Sequence, residues 1–371
     1  MSDTLDARLA LNRTLLQVVQ AGDLAATKEC LKAGADAWFE SDEEDGLGWS
    51  ALHLAVVANS PEIVQFLLQR GAIWNAVDPR GFTAAQLAWS LNYVECYQLL
   101  FEEGVRHSML MNMLSADDGD DDDAEQAEDE VDPESGAITL RPEGNELANS
   151  NAKFLQSRLI FVTDDDGKER VLDGDSNLVM AAWESDIMDR TANLLCADLP
   201  PKFSVLNIGF GLGIVDTFFQ SYRPGRHVIV EPHPDALAYL RSKGWAEREG
   251  VEIVEKRWEE ALLDPELGSF DVVYFDTYSQ DYKDLKKFFD EVPSLMNGPD
   301  ARFSFFHGLA GTNDFLYDVY TRLSELDLQS IGLSTQWHAV HPQLTEEVWR
   351  GVRREYWSLP RFLIPVSRMN L

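Results

Sequence analysis

From residue 204 onward, short apolar runs alternate with stretches whose apolar positions recur every three or four residues. The runs at 204–208, 227–231, 252–255, 271–275 and 302–306 predict buried strands, and the stretches 214–221, 234–243, 285–296 and 314–326 predict amphipathic helices. Strands that alternate with helices join in parallel through right-handed crossovers, so this half of the chain is expected to be an α/β domain around one mostly parallel sheet. Two later runs, 330–337 and 361–366, predict strands that pair antiparallel at one edge. Upstream, residues 179–188 carry Met180, Glu184 and Met188 at spacings of four, which predicts a helix with a carboxylate between two thioethers on one face.

The first 110 residues follow another rhythm. Ser50-Ala51-Leu52-His53-Leu54-Ala55 returns 33 residues later as Thr83-Ala84-Ala85-Gln86-Leu87-Ala88, and Gly71-Ala72 returns as Gly104-Val105. An earlier copy passes through Gly22 and Gly34-Ala35-Asp36, lengthened by an insertion at 40–45. This period resembles the ankyrin repeat, which implies stacked helix pairs, a core shared between neighbours and a concave face for a protein partner. By the same resemblance His53 is expected to tie a turn together through hydrogen bonds.

Charge separates the two halves. Residues 117–134 contain twelve acidic side chains and no basic one, so 111–150 is expected to be an acidic disordered linker between an all-α domain at 1–110 and the α/β domain at 151–371. Taking those twelve charges away from the net −33 leaves −21, so the folded parts are acidic too. Such a surface repels nucleic acid and anionic membrane and suits a basic protein or another cation. There is no 18-residue apolar run and no leader-like start, which points to a soluble protein of cytoplasm and nucleus. Cys30, Cys96 and Cys196 stand alone in apolar contexts, so all three are expected in cores, and no metal site is expected.

The chemistry concentrates where the first sheet strand ends. Val205-Leu206-Asn207-Ile208 runs into Gly209-Phe210-Gly211-Leu212-Gly213-Ile214, a turn whose glycines allow tight backbone curvature before a helix. Glu231 closes the next strand 20 residues after Gly211, the distance at which a carboxylate takes the hydroxyls of a nucleoside ribose. The dinucleotide fingerprint has its third glycine three residues after the second, but here that place is Ile214 and the glycine comes early, at Gly213. The G-x-G-x-G form resembles motif I of the seven-stranded, Rossmann-like S-adenosylmethionine-dependent methyltransferases. Asp276 ends the fourth strand at the pocket rim, Arg257-Trp258 follow the third, where the indole could cover an adenine, and His307 follows the fifth.

Met180, Trp183-Glu184, Met188, Gly209-Phe210-Gly211, Trp258-Glu259 and Asp276-Thr277-Tyr278, in this order, are similar to guanidinoacetate methyltransferase. With the N-terminal repeats and the variant ribose motif Glu231-Pro232-His233, the chain resembles the fungal type IV protein arginine methyltransferases, which methylate the internal δ-nitrogen of arginine. The resemblance implies that Met180, Met188, Gly209, Phe210, Gly211, Leu212, Gly213, Ile214, Glu231, Pro232, His233, Arg257, Trp258 and Asp276 surround S-adenosylmethionine. It further implies that Glu184 and Asp276 grip the guanidinium and that the substrate is the large-subunit ribosomal protein L12. Two carboxylates match the guanidinium fork and draw its charge away from the attacked nitrogen. Two other readings stay open: a small-molecule guanidino methyltransferase, and an inactive ankyrin scaffold.

Overall fold

The computed structural model describes residues 2–41, 48–115, 151–164, 167–278 and 281–370. The acidic run and most of the insertion at 40–45 lie outside them. The described chain forms two compact units. Among the described residues no helix is long and apolar enough to cross a membrane.

The first unit is built from three helix pairs, α1 (Ser2–Gln20) with α2 (Leu24–Lys32), α3 (Ala51–Val57) with α4 (Pro61–Gln69), and α5 (Ala84–Ser90) with α6 (Val94–Ser115). The first helices stack α1–α3–α5 and the second α2–α4–α6. Alanines make the close approach possible: Ala51, Ala55, Ala84, Ala85 and Ala88 are all buried between layers, with Leu15, Val19, Leu52, Ile63 and Leu67 filling the spaces. Helix α6 continues to Ser115, five residues into the stretch expected to be linker, because no glycine or proline interrupts Met109 to Leu114. A hairpin bridge precedes each of the later pairs, Glu40 with Ser50 and Val77 with Thr83, and the insertion falls inside the first of these.

Repetition of the sequence is repetition of a hydrogen-bond device. Thr83 Oγ1 accepts the Gln86 N–H at 3.2 Å while Gln86 Oε1 accepts the Thr83 N–H at 2.9 Å, which caps α5 reciprocally. One repeat earlier His53 takes the glutamine's part: its Nδ1 accepts from Ser50 Oγ at 2.8 Å and faces the Ser50 N–H at 3.3 Å. Its Nε2–H donates to the Phe82 carbonyl at 3.1 Å, so the ring also links its own turn to the next. Burial lowers its pKa and keeps it neutral, as this bonding requires. His53 is thus structural.

The second unit opens with α7 (Asn151–Gln156) and a three-stranded antiparallel sheet, β1 (Ile160–Thr163), β2 (Glu169–Leu172) and β3 (Leu178–Ala181). The helix expected over 179–188 is not one element. Met180 lies on β3, Glu184 ends a 3-10 turn over Ala182–Glu184, and α8 (Ser185–Cys196) starts only after it. Pairing of Val171 with Met180 across the sheet overrides the helical spacing. The helix periodicity is real from Ile187 onward, where Ile187, Met188, Thr191, Ala192 and Leu195 are buried.

The main sheet contains β4 (Ser204–Ile208), β5 (Arg226–Val230), β6 (Val251–Val254), β7 (Val272–Phe275), β8 (Arg302–Phe305), β9 (Leu333–Val340) and β10 (Phe362–Met369). Its order is β6-β5-β4-β7-β8-β10-β9, and β10 runs antiparallel to both of its neighbours. The intervening helices are α9 (Ile214–Ser221), α10 (Pro234–Ser242), α11 (Trp258–Ala261), α12 (Tyr282–Leu295) and α13 (Asp314–Ser330). Every residue of β7 and β8 is buried, as it must be in a sheet covered on both faces. This is a seven-stranded Rossmann-like sheet, and strand order reverses at β4, where such folds place ligands beyond the carboxyl ends.

Replacing His53 with alanine is expected to destabilise the repeat unit by about 1–3 kcal/mol, because the Ser50 and Phe82 groups lose their buried partner. His53→Gln should recover part of that loss, since Gln86 performs the equivalent cap. Chemical denaturation of the full chain reads both.

Candidate functional site

Beyond the carboxyl ends of β4, β5 and β7 lies a cavity of about 350 Å³, a size suited to a small ligand. The glycine turn forms one wall, and each glycine is dictated by a neighbour. At Gly209 (φ +92°) a Cβ would lie 1.9 Å from the Asp276 carbonyl oxygen, so the turn after β4 runs flush against the chain leaving β7. At Gly211 (φ +55°) a Cβ would meet the Met180 sulfur at 2.8 Å. A side chain there would therefore strike Met180, on the protein's own strand β3, and not only a ligand. The Met180 sulfur also receives the Leu212 N–H at 3.3 Å.

Buried polar groups hold the turn from behind. Asn207 donates to the Gly209 carbonyl at 2.7 Å and to Asp216 Oδ1 at 2.8 Å, and Asp216 receives His227 Nε2 at 3.0 Å. Glu231, buried at the end of β5, accepts the Phe210 N–H at 2.9 Å on Oε2 and the His233 N–H at 2.7 Å on Oε1. Burial raises its pKa and these backbone donors oppose the rise. Its carboxylate keeps lone pairs beyond the two it uses.

The cavity also gathers two further acids. Glu184 is buried, and its Oε1 accepts from the Tyr356 hydroxyl and, at 3.4 Å, from the Ala181 N–H. Burial first, then the negative charge of Asp276, push its pKa up to about 8. Asp276, next to β7, is pushed up to about 7 by burial and by Asp216 behind it. Asp276 Oδ2 has no hydrogen-bond partner among the described residues. Among the described residues neither acid forms an ion pair with a lysine, arginine or histidine. Two desolvated carboxyls, the charge of Asp276 weighing on Glu184 and that of Asp216 on Asp276, with an oxygen left over, offer acceptors to a cation with N–H donors on more than one side.

Ten of the residues expected around a cofactor line this cavity: Met180, Gly209, Phe210, Gly211, Glu231, Pro232, His233, Arg257, Trp258 and Asp276. Four do not. Met188 is fully buried in the core with Val205, Val215 and Tyr274, its sulfur facing the Tyr274 hydroxyl at 3.5 Å. Leu212, Gly213 and Ile214 turn away to start α9 and face a second, shallower depression. Trp258 lies edge-on to Phe275 and Phe288, and its buried Nε1–H has no acceptor among the described residues. His307 does not line the cavity: it is buried against Tyr317 and Trp337, and burial lowers its pKa to about 3.

Sequence reasoning missed Tyr356 and Phe154, which line the same cavity, and gave no role to Tyr278, which lines it too. Tyr356 comes from a segment without regular structure and carries no periodic signal. Phe154 and Tyr278 meet ring to ring at 4.8 Å across more than a hundred residues of chain.

With this geometry in view, similarity to known proteins becomes informative. A family model described as Ankyrin repeats (3 copies) matches residues 15–109, and one described as Guanidinoacetate N-methyltransferase matches residues 162–293. The chain is 36% identical to protein arginine N-methyltransferase 2 of Cryptococcus neoformans var. neoformans serotype D, over 98% of this chain and 96% of the relative. It is 36% identical to the protein of that name from Aspergillus fumigatus, over 85% of this chain and 78% of the relative. With the Emericella nidulans protein it shares 32% identity over 98% of both chains.

The raised pKa values carry a consequence for stability. The folded protein keeps protons on Glu184 and Asp276 that the unfolded chain, with ordinary values of 4.5 and 3.8, has given up. These groups therefore favour the fold most in acid, and that contribution is lost as pH climbs towards 7 and 8. Glu184→Gln keeps an acceptor for Tyr356 and removes the charge, so it is expected to stabilise the protein at pH 8, with the gain shrinking towards pH 5. Denaturation midpoints at the two pH values test this, and an equal effect at both would contradict the assignment.

Proposed function

The chain belongs to the protein arginine N-methyltransferase 2 family, and we propose that it transfers a methyl group from S-adenosylmethionine to the internal δ-nitrogen of an arginine in a protein. The observation that carries this reading is the buried pair Glu184 and Asp276, without a cationic partner among the described residues, in the cavity beside the glycine turn.

The cavity suits the methyl donor. Glu231 is anchored by two backbone N–H groups and retains lone pairs for ribose hydroxyls, while Trp258 offers an unpartnered indole N–H within a largely apolar wall with Phe154 and Leu155. When bound, S-adenosylmethionine supplies an electrophilic methyl on a sulfonium. The remaining work falls to the chain's own residues. Glu184 and Asp276 each accept an N–H from the guanidinium, holding its two terminal nitrogens and leaving the alkyl-bearing one free to face the methyl. An arriving guanidinium favours the ionised carboxylates and drives their pKa values back down. Methyl transfer leaves the guanidinium with one proton too many, and the carboxylates bonded to its terminal N–H groups are placed to accept it.

On the resemblance of the whole chain, the protein substrate is large-subunit ribosomal protein L12, with the repeat unit available for a further protein contact. A small guanidino metabolite is the second reading, favoured by the match to guanidinoacetate N-methyltransferase. Presenting the full-length chain with labelled S-adenosylmethionine, ribosomal proteins and guanidinoacetate separates the two, and fragmentation of the labelled peptide distinguishes δ from terminal methylation. Label found only on a terminal nitrogen would contradict the acid-pair geometry. Glu184→Gln and Asp276→Asn are expected to lower turnover by roughly 100-fold or more while calorimetric binding of S-adenosylmethionine persists.

A further inference from the structure

Between β9 and β10 the chain has no regular structure around Tyr356, yet it is pinned on both sides of that residue. The Arg353 N–H bonds the Ser176 carbonyl at 2.9 Å in the β2–β3 turn, and the Ser358 N–H bonds the Gly311 carbonyl at 2.9 Å. Trp357 is wholly buried, and its indole N–H donates to the Leu359 carbonyl at 3.0 Å. A Cβ on Gly311 would lie 2.6 Å from the Tyr356 carbonyl oxygen, so the backbone here is held against another backbone. The Tyr356 ring packs edge-to-face on Trp349 at 5.3 Å and lies 5.8 Å from Trp183. A side chain packed between two indoles on a backbone pinned at both flanks presents its hydroxyl in one direction. That direction is Glu184, 172 residues away in sequence.

Resting on the reading of Glu184 as a guanidinium ligand, we propose that Tyr356 is a positioning residue for the reaction. By occupying Oε1 of Glu184, together with the Ala181 N–H, it leaves Oε2 as the oxygen that meets the substrate and so fixes which guanidinium nitrogen is held. An arginine that could rotate between two equivalent oxygens would expose a terminal nitrogen as readily as the internal one. The charged and titratable groups that face Glu184 are Asp276 at the end of β7 and Tyr356 itself, with Tyr274 near both acids on β7 and Asp216 behind Asp276. Of the interactions at Glu184, the Tyr356 hydroxyl and the Ala181 N–H favour its ionised form, against burial and Asp276.

The test compares full-length wild type, Tyr356→Phe, Glu184→Gln and the double variant in methyl transfer to purified ribosomal protein L12 and in calorimetric binding of N-acetylarginine amide, each over a pH series. For Tyr356→Phe the expected result is a loss of at least about tenfold in kcat/KM with unchanged affinity for S-adenosylmethionine. The acid limb of its pH profile and of its arginine-amide binding should move to higher pH, and methyl label should begin to appear on terminal nitrogens. The double variant should be no slower than Glu184→Gln alone. A Tyr356→Phe protein with the wild-type rate and pH profile, while Glu184→Gln is inactive, overturns the role of Tyr356 and spares that of Glu184. Loss of S-adenosylmethionine binding in Tyr356→Phe also overturns it, by making the residue structural. An active Glu184→Gln with wild-type arginine-amide binding removes the guanidinium reading itself.

Discussion

Two carboxyl groups held together out of water dominate the chemistry of this protein. Burial disfavours the charge on each, and a neighbouring carboxylate disfavours it again, Asp276 for Glu184 and Asp216 for Asp276, so both pKa values are pushed well above the usual carboxylate range. Most proteins resolve such a conflict by supplying an arginine or lysine. Among the described residues none is supplied to Glu184 or Asp276, and Asp276 Oδ2 is left without any partner. The fold therefore carries a cost that, on the function proposed above, an incoming guanidinium relieves, because its delocalised charge and flat array of N–H groups can satisfy both acids together.

The rest of the second unit can be understood as what keeps that arrangement in place. Glycine at position 209 lets the turn after β4 lie against the Asp276 carbonyl, which fixes the backbone from which the second acid projects. Asn207, Asp216 and His227 brace the same turn from below, and Glu231 braces it from β5. Glu184 is held differently: it ends a 3-10 turn between a strand and a helix, with the Tyr356 hydroxyl fixing one of its oxygens. One acid is thus positioned by the main sheet, the other by the small sheet and the chain between β9 and β10.

In the first unit the same economy appears at a smaller scale. Each turn must satisfy the free N–H groups at the start of a short helix, and two repeats solve this with different residues in one place, His53 and Gln86. The imidazole reaches further than the amide and bonds the next turn as well. This is why the repeat is degenerate in sequence yet regular in structure.

Local chemistry makes much of this legible in the chain alone. Alternating buried runs and amphipathic stretches specified the α/β unit, with β4 found residue for residue, because burial on both faces of a parallel sheet leaves an unbroken apolar signature. The 33-residue period specified the stacked helices, and the glycine turn with Glu231 pointed to residues that line one cavity. What periodicity did not determine was which contacts residues make with partners distant in the chain. Met180 and Glu184 read as one helical face, and only pairing with β2 made the first a strand residue; Met188 shared their spacing and went to the core. Tyr356 gave no signal at all, because a hydroxyl placed against a carboxylate 172 residues away is produced by packing, and periodicity reports only on neighbours along the chain.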